Sequence, residues 1–187
     1  MEENKQEKRG FKWELLDFVK ILIVCFIAAM GIKTFIAQPV FVEGSSMYPT
    51  LADGEFGFTN LLGLSLEGVN RGDIVIVSEE NEYWVKRVIA LPNETIECRD
   101  GVVYIDGEAL GEPYLDTAYV EDIEKNQGYF TSDFGPVTLG ADEYFVMGDN
   151  RVVSADSRVV GPFTRDQLIG KGVFVLYPLD QIGYHNQ

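Results

Sequence analysis

The chain has few of the residues that commonly serve as catalytic bases and metal ligands. Its 187 residues include one histidine, His185, which is third from the end, and two cysteines, Cys25 and Cys98. Chain ends are usually poorly ordered, so His185 is a poor candidate for a catalytic base, which argues against a Ser-His-Asp triad. The cysteines lie far apart, and we expect no disulfide. Because the sequence contains no CxxC, HExxH or Cys/His cluster, we expect neither a metal nor another cofactor.

Basic residues are scarce after the first part of the chain. The net charge is −15, yet residues 1–37 carry six basic and five acidic residues, which leaves about −16 on the remainder. No basic residue lies between Lys33 and Arg71. Binding to nucleic acid requires a basic face, so we expect no nucleic-acid partner. Nothing in the sequence indicates an obligate protein partner.

The chain has one long apolar segment, which we place at 18–37. Its uncharged core, 21–32, is short for a membrane span and typical of a signal peptide. If Lys20 and Lys33 extend toward the lipid headgroups, however, the segment gives about 30 Å of helix, enough to cross a bilayer. We therefore predict an uncleaved transmembrane anchor, with a cleaved signal peptide or a buried helix as alternatives.

The distribution of lysine and arginine predicts the orientation of this anchor. Five of the six basic residues near the segment lie at or before Lys20. The positive-inside rule then places a tail, 1–17, in the cytoplasm and a domain, 38–187, outside the plasma membrane.

We predict that the outer domain is mainly β, with short strands and many turns. Arg99-Asp100-Gly101 is typical of a hairpin turn, because glycine readily adopts a positive φ. Thr164 and Gln167 fit the capping box of a short helix ending near Gly170. Residues 59–70 are expected to be irregular, and 111–136 to form a small lobe or a mobile loop. The predicted strands are Pro39–Glu43, Ile74–Val77, Tyr83–Leu91, Thr95–Cys98, Val102–Ile105, Tyr144–Met147 and Gly172–Tyr177.

The segment Glu43–Leu51 contains two adjacent serines just beyond the anchor. Taken alone it fits an ordinary loop, since serine and proline are common in turns. A lysine in the strand Tyr83–Leu91 changes this interpretation. By alternation, Lys86 shares a face with Trp84 and Val88, and burial there lowers the pKa of an ammonium group. A neutral lysine can accept the proton of a serine hydroxyl, so Lys86 is a candidate base.

A third segment, 148–161, is dense in groups that could support such a base. The hydroxyls of Ser154 and Ser157 could orient a neutral lysine, and Asp156 and Arg158 could hold the loop as an ion pair. The alternative is a polar surface loop with salt bridges.

Together these segments resemble the bacterial type I signal peptidases, which are membrane-anchored Ser/Lys endopeptidases, in their small form with a single anchor. The resemblance implies an N-terminal transmembrane helix followed by an antiparallel β-sheet catalytic domain with a groove for an extended peptide. It implies secreted preproteins as substrates, cut after Ala-x-Ala-like sites at the outer membrane face. The matching segments are Ser46–Thr50, Arg71–Ile74, Lys86–Ile89 and 148–161.

The resemblance also assigns roles to individual residues. Ser46 would be the nucleophile and Lys86 the general base, with Gly44 at a position where some members have a serine that stabilises the oxyanion. Ser154 would orient Lys86, while Asp156, Arg158 and Asp149 would support the loop. The candidates for the substrate pockets are Val42, Met47, Trp84 and Val85.

Two other functions are considered. One is a catalytically silent, membrane-anchored accessory or assembly protein on the same fold, against which the presence of both Ser46 and Lys86 argues. The other is a Ser/Lys self-cleaving peptidase of the repressor kind, but those proteins are cytosolic and the anchor argues against it.

Overall fold

A computed structural model of the chain describes residues 11–80 and 82–187. The chain divides into two units, Met1–Ile36 and Ala37–Gln187. The predicted polar tail lies outside the described residues over 1–10, and Asn81, in the predicted connection between two strands, does so too.

The first unit contains one long helix, α1 (Phe11–Phe35). Its stretch Trp13–Thr34 has a mean hydropathy of 2.4 and buries none of its residues within the protein. By length and composition it can cross a membrane. The helix begins seven residues before the predicted segment 18–37 and ends two residues before the end of that segment. It stops early because Ala37–Phe41 pairs as a strand with Phe56–Asn60.

The described part of the second unit contains twelve strands in two antiparallel sheets. The larger sheet has the order β1-β2-β11-β3-β4-β9-β10, with β12 also paired to β11, and the smaller has the order β7-β6-β5-β8. The strands are β1 (Ala37–Phe41), β2 (Phe56–Asn60), β3 (Ile74–Glu79), β4 (Glu82–Ala90), β5 (Thr95–Arg99), β6 (Val102–Ile105), β7 (Glu108–Ala109), β8 (Phe134–Thr138), β9 (Glu143–Met147), β10 (Phe163–Thr164), β11 (Leu168–Tyr177) and β12 (Gly183–His185).

The predicted fold class, mainly antiparallel β after an N-terminal apolar helix, is confirmed. The hairpin β3–β4 lies inside the larger sheet, and its residues face two separate buried clusters. Ile74 and Ile76 pack with Met47 on one side, whereas Val75 and Val77 pack with Val88 on the other. The β5–β6 hairpin also agrees with the prediction, since Asp100 and Gly101 adopt φ values of 51° and 76°.

Residues 59–70 were expected to be irregular, and this is wrong for 59–66. Strand β2 continues to Asn60, and α2 (Leu61–Leu66) follows directly. The side chain of Asn60 caps this helix by accepting a hydrogen bond from Gly63 N at 2.9 Å. The helix is held in place by Leu64, which is buried in the cluster around Val75.

The segment 111–136 contains a helix that was not predicted, although its two cap residues are the signals that could have revealed it. Helix α3 (Thr117–Gln127) begins at the Asp116 side chain, which accepts from Tyr119 N at 2.7 Å, and ends at Gly128 with φ 85°. None of its residues is fully buried. Its apolar period is short, because it consists of three half-buried residues, Tyr119, Val120 and Ile123.

Two predictions near the end of the chain are also wrong. Gln167 accepts from Thr164 N at 2.9 Å as expected, but the helix is a single 3₁₀ turn over Arg165–Gln167. The buried Leu168 then begins β11 opposite Val77. His185 is not in a frayed end, because it belongs to β12 and pairs with Val173.

Candidate active site

The serine-containing turn starts at a glycine with a positive φ. Gly44 has φ 85°, and its N–H donates to Asp53 Oδ1 at 2.7 Å. A side chain at this position would be strained, since positive φ is unfavourable for most L-residues. The chain bends at Gly44 and Ser45.

The hydrophobic core holds the turn in place through the residue that follows Ser46. Met47, which follows Ser46 directly, is 1% exposed and packs with Val42, Leu51 and Ile74. Packing of the next residue in the core restricts the backbone of Ser46, while Ser46 itself is half-buried.

The segment after β9 also holds the serine turn in place, through hydrogen bonds. Asn150 donates from its backbone N–H to Ser46 O at 3.0 Å and from Nδ2 to Ser45 O at 3.1 Å. A Cβ at Gly148 would lie 2.4 Å from Ser46 O and 2.3 Å from Ser154 Oγ. Position 148 must therefore be glycine for the two segments to approach so closely.

Lys86 lies in the middle of β4, opposite Val75, and is 4% exposed. Its Nζ lies 2.7 Å from Ser46 Oγ and 5.7 Å from the centre of the Trp84 ring. Burial lowers the pKa of Lys86 to about 8, an effect that Asp156 and Asp149 oppose and Arg158 reinforces. The structure thus brings together the predicted nucleophile and the predicted base, with the base partly neutral near neutral pH.

Arg87, next to the lysine, forms a buried ion pair with Asp149. Its Nε and Nη2 donate to the two carboxylate oxygens at 2.8 and 2.7 Å, and its Nη1 donates to Gly72 O at 2.7 Å. Thr50 Oγ1 donates to Asp149 Oδ2 at 2.5 Å. Asp149 therefore connects the lysine strand to the serine turn.

Asp156 and Arg158 form the second ion pair of the site. Arg158 donates from Nε and Nη2 at 2.8 Å each, and Asp156 also accepts from Gly148 N at 3.0 Å. Burial raises the pKa of Asp156, but the hydrogen bond and charge of Arg158 outweigh it, so the pKa lies below its usual value. The carboxylate caps the short helix α4 (Ser157–Val160) and fixes the loop beside the lysine.

Ser154 is placed differently from the role that the resemblance implies. Its hydroxyl donates to Ala155 O at 3.4 Å and interacts with Asp156. Within residues 11–80 and 82–187 it makes no hydrogen bond to Lys86, so its orienting role stays a prediction. Ser157 accepts from Val146 N at 2.9 Å and joins α4 to β9.

The four candidate pocket residues occupy different surroundings. Val85 borders a cavity of about 140 Å³. Val42 and Met47 are buried in the core, and the Trp84 ring faces Lys86. Their contact with substrate stays a prediction. The cavity is lined by Gln38, Pro39, Val40, Phe41, Thr59, Ile76, Tyr83, Val85 and Ile169.

Two contacts of the site were not expected from the sequence. One is the clamp that Asn150 forms on Ser45 and Ser46, and the other is the packing of α3 against the serine turn. Tyr119 of α3 meets Tyr48 edge to face at 5.2 Å. Among the described residues, no group of three or more His, Cys, Asp or Glu could hold a metal ion.

A serine hydroxyl beside a buried lysine amine defines the chain as a candidate serine hydrolase of the Ser/Lys kind. The family model "Signal peptidase, peptidase S26" matches residues 15–177. The chain belongs to this family.

Curated relatives match over nearly the whole chain. Signal peptidase I of Bacillus amyloliquefaciens is 41% identical over 96% of this chain and 97% of its own. Signal peptidase I S of Bacillus subtilis (strain 168) is 38% identical over 95% and 97%. A signal peptidase I crystal structure from Enterococcus faecalis V583 has 35% identity and a TM-score of 0.49, covering 55% of this chain and 95% of that one. The predicted family and enzyme class are confirmed, and the apolar helix is consistent with membrane anchoring.

Proposed function

We propose that this protein is a membrane-bound serine endopeptidase that removes N-terminal signal peptides from secreted preproteins. The observation that carries the proposal is the 2.7 Å contact between Lys86 Nζ and Ser46 Oγ, made by a lysine that is 4% exposed. Proton transfer between the two groups requires a contact of this length and a base that can be neutral.

The reaction is acyl transfer in two halves. Neutral Lys86 accepts the proton of Ser46 as Oγ bonds to the carbonyl carbon of the residue before the cut. The ammonium then returns the proton to the leaving amine as the C–N bond breaks, which leaves an acyl-enzyme. Lys86 next accepts a proton from the water that attacks the ester carbonyl carbon, and it returns this proton to Ser46 Oγ as the C–Oγ bond breaks and the signal peptide leaves.

The oxyanion is stabilised mainly by the backbone N–H of Ser46. Gly44 supplies no hydroxyl there, and its own N–H is already bonded to Asp53. The Asn150 bonds to the carbonyls of Ser45 and Ser46 fix the orientation of the turn before substrate binds.

A small cavity and the apolar helix support the substrate class and the location. The cavity beside Val85, about 140 Å³, fits a small apolar side chain of an extended peptide, in line with Ala-x-Ala-like sites. Helix α1 anchors the enzyme in the plasma membrane, with the N-terminus in the cytoplasm and residues 38–187 outside. The excess of lysine and arginine before the helix supports this orientation.

The test is cleavage of a purified preprotein by the full chain in detergent, with the cut site mapped by mass spectrometry. We expect Ser46→Ala, Lys86→Ala and Lys86→Arg to lose cleavage, since arginine cannot act as a neutral base. The matched controls Ser45→Ala and Lys125→Ala remove exposed side chains and should retain it. Cleavage by the Lys86→Ala protein would refute the mechanism, and a wild-type chain that binds preprotein without cutting it would favour the accessory protein.

A further inference from the structure

The ammonium group that forms on Lys86 during the reaction has few partners. A lysine ammonium carries three N–H donors. Within residues 11–80 and 82–187, the hydrogen-bond partner of Lys86 Nζ is Ser46 Oγ, and Ser154 does not bond to it. In the reaction Ser46 Oγ forms a bond to the substrate. A further group near Nζ would therefore help to stabilise the Lys86 ammonium.

The indole ring of Trp84 lies on that side. Trp84 and Lys86 are two residues apart on β4 and share a face of the sheet, and Nζ lies 5.7 Å from the ring centre. The negative face of an indole attracts an ammonium within about 6 Å, and tryptophan is the strongest of the aromatic residues in this role. The ring attracts the neutral amine much less.

The ring is itself held in place from two directions. Its Nε1–H donates to Glu82 Oε2 at 3.1 Å, and the ring meets Phe163 edge to face at 6.3 Å. Phe163 is 1% exposed and belongs to the core cluster that contains Val88. These two contacts hold the indole in this orientation in the absence of substrate.

We infer that Trp84 is a positioning residue that stabilises the Lys86 ammonium formed when the lysine takes the proton of Ser46. This inference rests on the proposed function and deepens it. The proton leaves Oγ as the Oγ–C bond forms, and the positive charge appears on Nζ over the ring. Trp84 thereby favours the transition state over the neutral ground state.

Three charged side chains also act on Lys86, and their effect is separate from that of the Trp84 ring. Asp156 and Asp149 favour the ammonium and Arg158 disfavours it, while burial favours the neutral amine. These groups come from the segment after β9, whereas Trp84 and Glu82 belong to the lysine's own strand. A change at Trp84 leaves the charges of that segment intact.

The experiment measures cleavage of an Ala-x-Ala peptide by the full chain in detergent from about pH 6 to pH 10, a range that brackets the lysine titration. Trp84→Leu should lower kcat at alkaline pH roughly two- to thirtyfold with KM little changed. The acid limb of the pH–rate profile of Trp84→Leu should move to lower pH by about 0.4 to 1.5 pH units, because the Lys86 ammonium no longer has the indole ring to stabilise it. Trp84→Phe keeps a ring and should fall between Trp84→Leu and the wild type.

The matched control is Tyr104→Leu, which removes a cation–π pair of the smaller sheet, where Arg99 lies 4.2 Å from the Tyr104 ring. It should leave kcat and the pH profile unchanged. A second readout does not depend on turnover: the NMR titration of the Lys86 side chain in a Ser46→Ala background, with and without Trp84→Leu. The midpoint should be lower without the indole.

The outcomes separate this inference from the proposed function. If the wild type cleaves and Lys86→Ala does not, the proposed function stands and the Trp84 variants test the inference alone. An unchanged acid limb in Trp84→Leu, with unchanged kcat, overturns the role of Trp84. A lysine midpoint that rises in Trp84→Leu also overturns it, because the indole would then act by excluding water.

Discussion

Arg87 and Asp149 form a two-point ion pair in which both side chains are almost fully buried, at 0% and 1% exposure. The pair joins the residue after the lysine to the residue after Gly148. Its second carboxylate oxygen also holds Thr50 of the serine segment. Three separate parts of the chain thus meet at one carboxylate.

Asp149→Asn should strongly destabilise the protein, because it leaves the buried guanidinium of Arg87 without a counter-charge. Removing one partner of a buried pair costs about 3 to 5 kcal/mol of unfolding free energy. Urea unfolding of the full chain in detergent measures the loss. The control is Glu97→Gln, which breaks an exposed pair with Arg99 and should change stability by less than about 1 kcal/mol. Equal losses in both variants would contradict the assignment of Arg87–Asp149 as a structural centre.

The rate of cleavage should fall at acidic pH. Burial lowers the pKa of Lys86 to about 8, and the neutral amine is the active form in the proposed mechanism. Below this pKa the neutral fraction falls about tenfold for each pH unit, whereas above it the rate should level off. Steady-state kcat measured against pH checks the midpoint. A rate that stays constant between about pH 6 and pH 9 would mean that Lys86 is not the base.

Asn150→Ala should lower kcat while the fold persists. The variant loses the side-chain bond to Ser45 O but keeps the backbone bond to Ser46 O. One lost hydrogen bond costs about 1 kcal/mol of stability, whereas a small displacement of a nucleophile can slow catalysis by as much as about a hundredfold. The control Asn126→Ala removes an exposed side chain that donates to Asp122 O at 2.8 Å on α3. If both variants keep full kcat, the clamp does not position Ser46.

Val85→Phe should change substrate preference. The larger side chain reaches into the cavity of about 140 Å³ that Val85 borders and leaves less room for a substrate side chain. We expect kcat/KM to fall more for peptides with valine at the position that enters the cavity than for those with alanine. The control Val102→Phe adds the same bulk at an exposed site on β6. Parallel losses for both peptides would exclude this cavity as a subsite.

The sequence predicted the parts of the site that depend on local pattern. Alternation along β4 placed Lys86 on a face with Trp84, and burial by apolar neighbours predicted its lowered pKa. Helix α3 was missed because its apolar face is short and only half-buried, and α2 because only Leu64 and Gly63 are buried. The Asn150 clamp could not be predicted, since it joins residues 105 positions apart and depends on the packing of separate strands.

The same clamp makes the geometry of the proposed nucleophile depend on a distant part of the chain. Ser46 emerges early in synthesis, but the carbonyls of its turn are held by Asn150, and Lys86 is flanked by charges from the segment that follows β9. These contacts therefore need the chain to be present as far as Arg158. The geometry of the serine and the lysine is thus a product of nearly the whole second unit, and the segment that contains the two residues does not supply it alone.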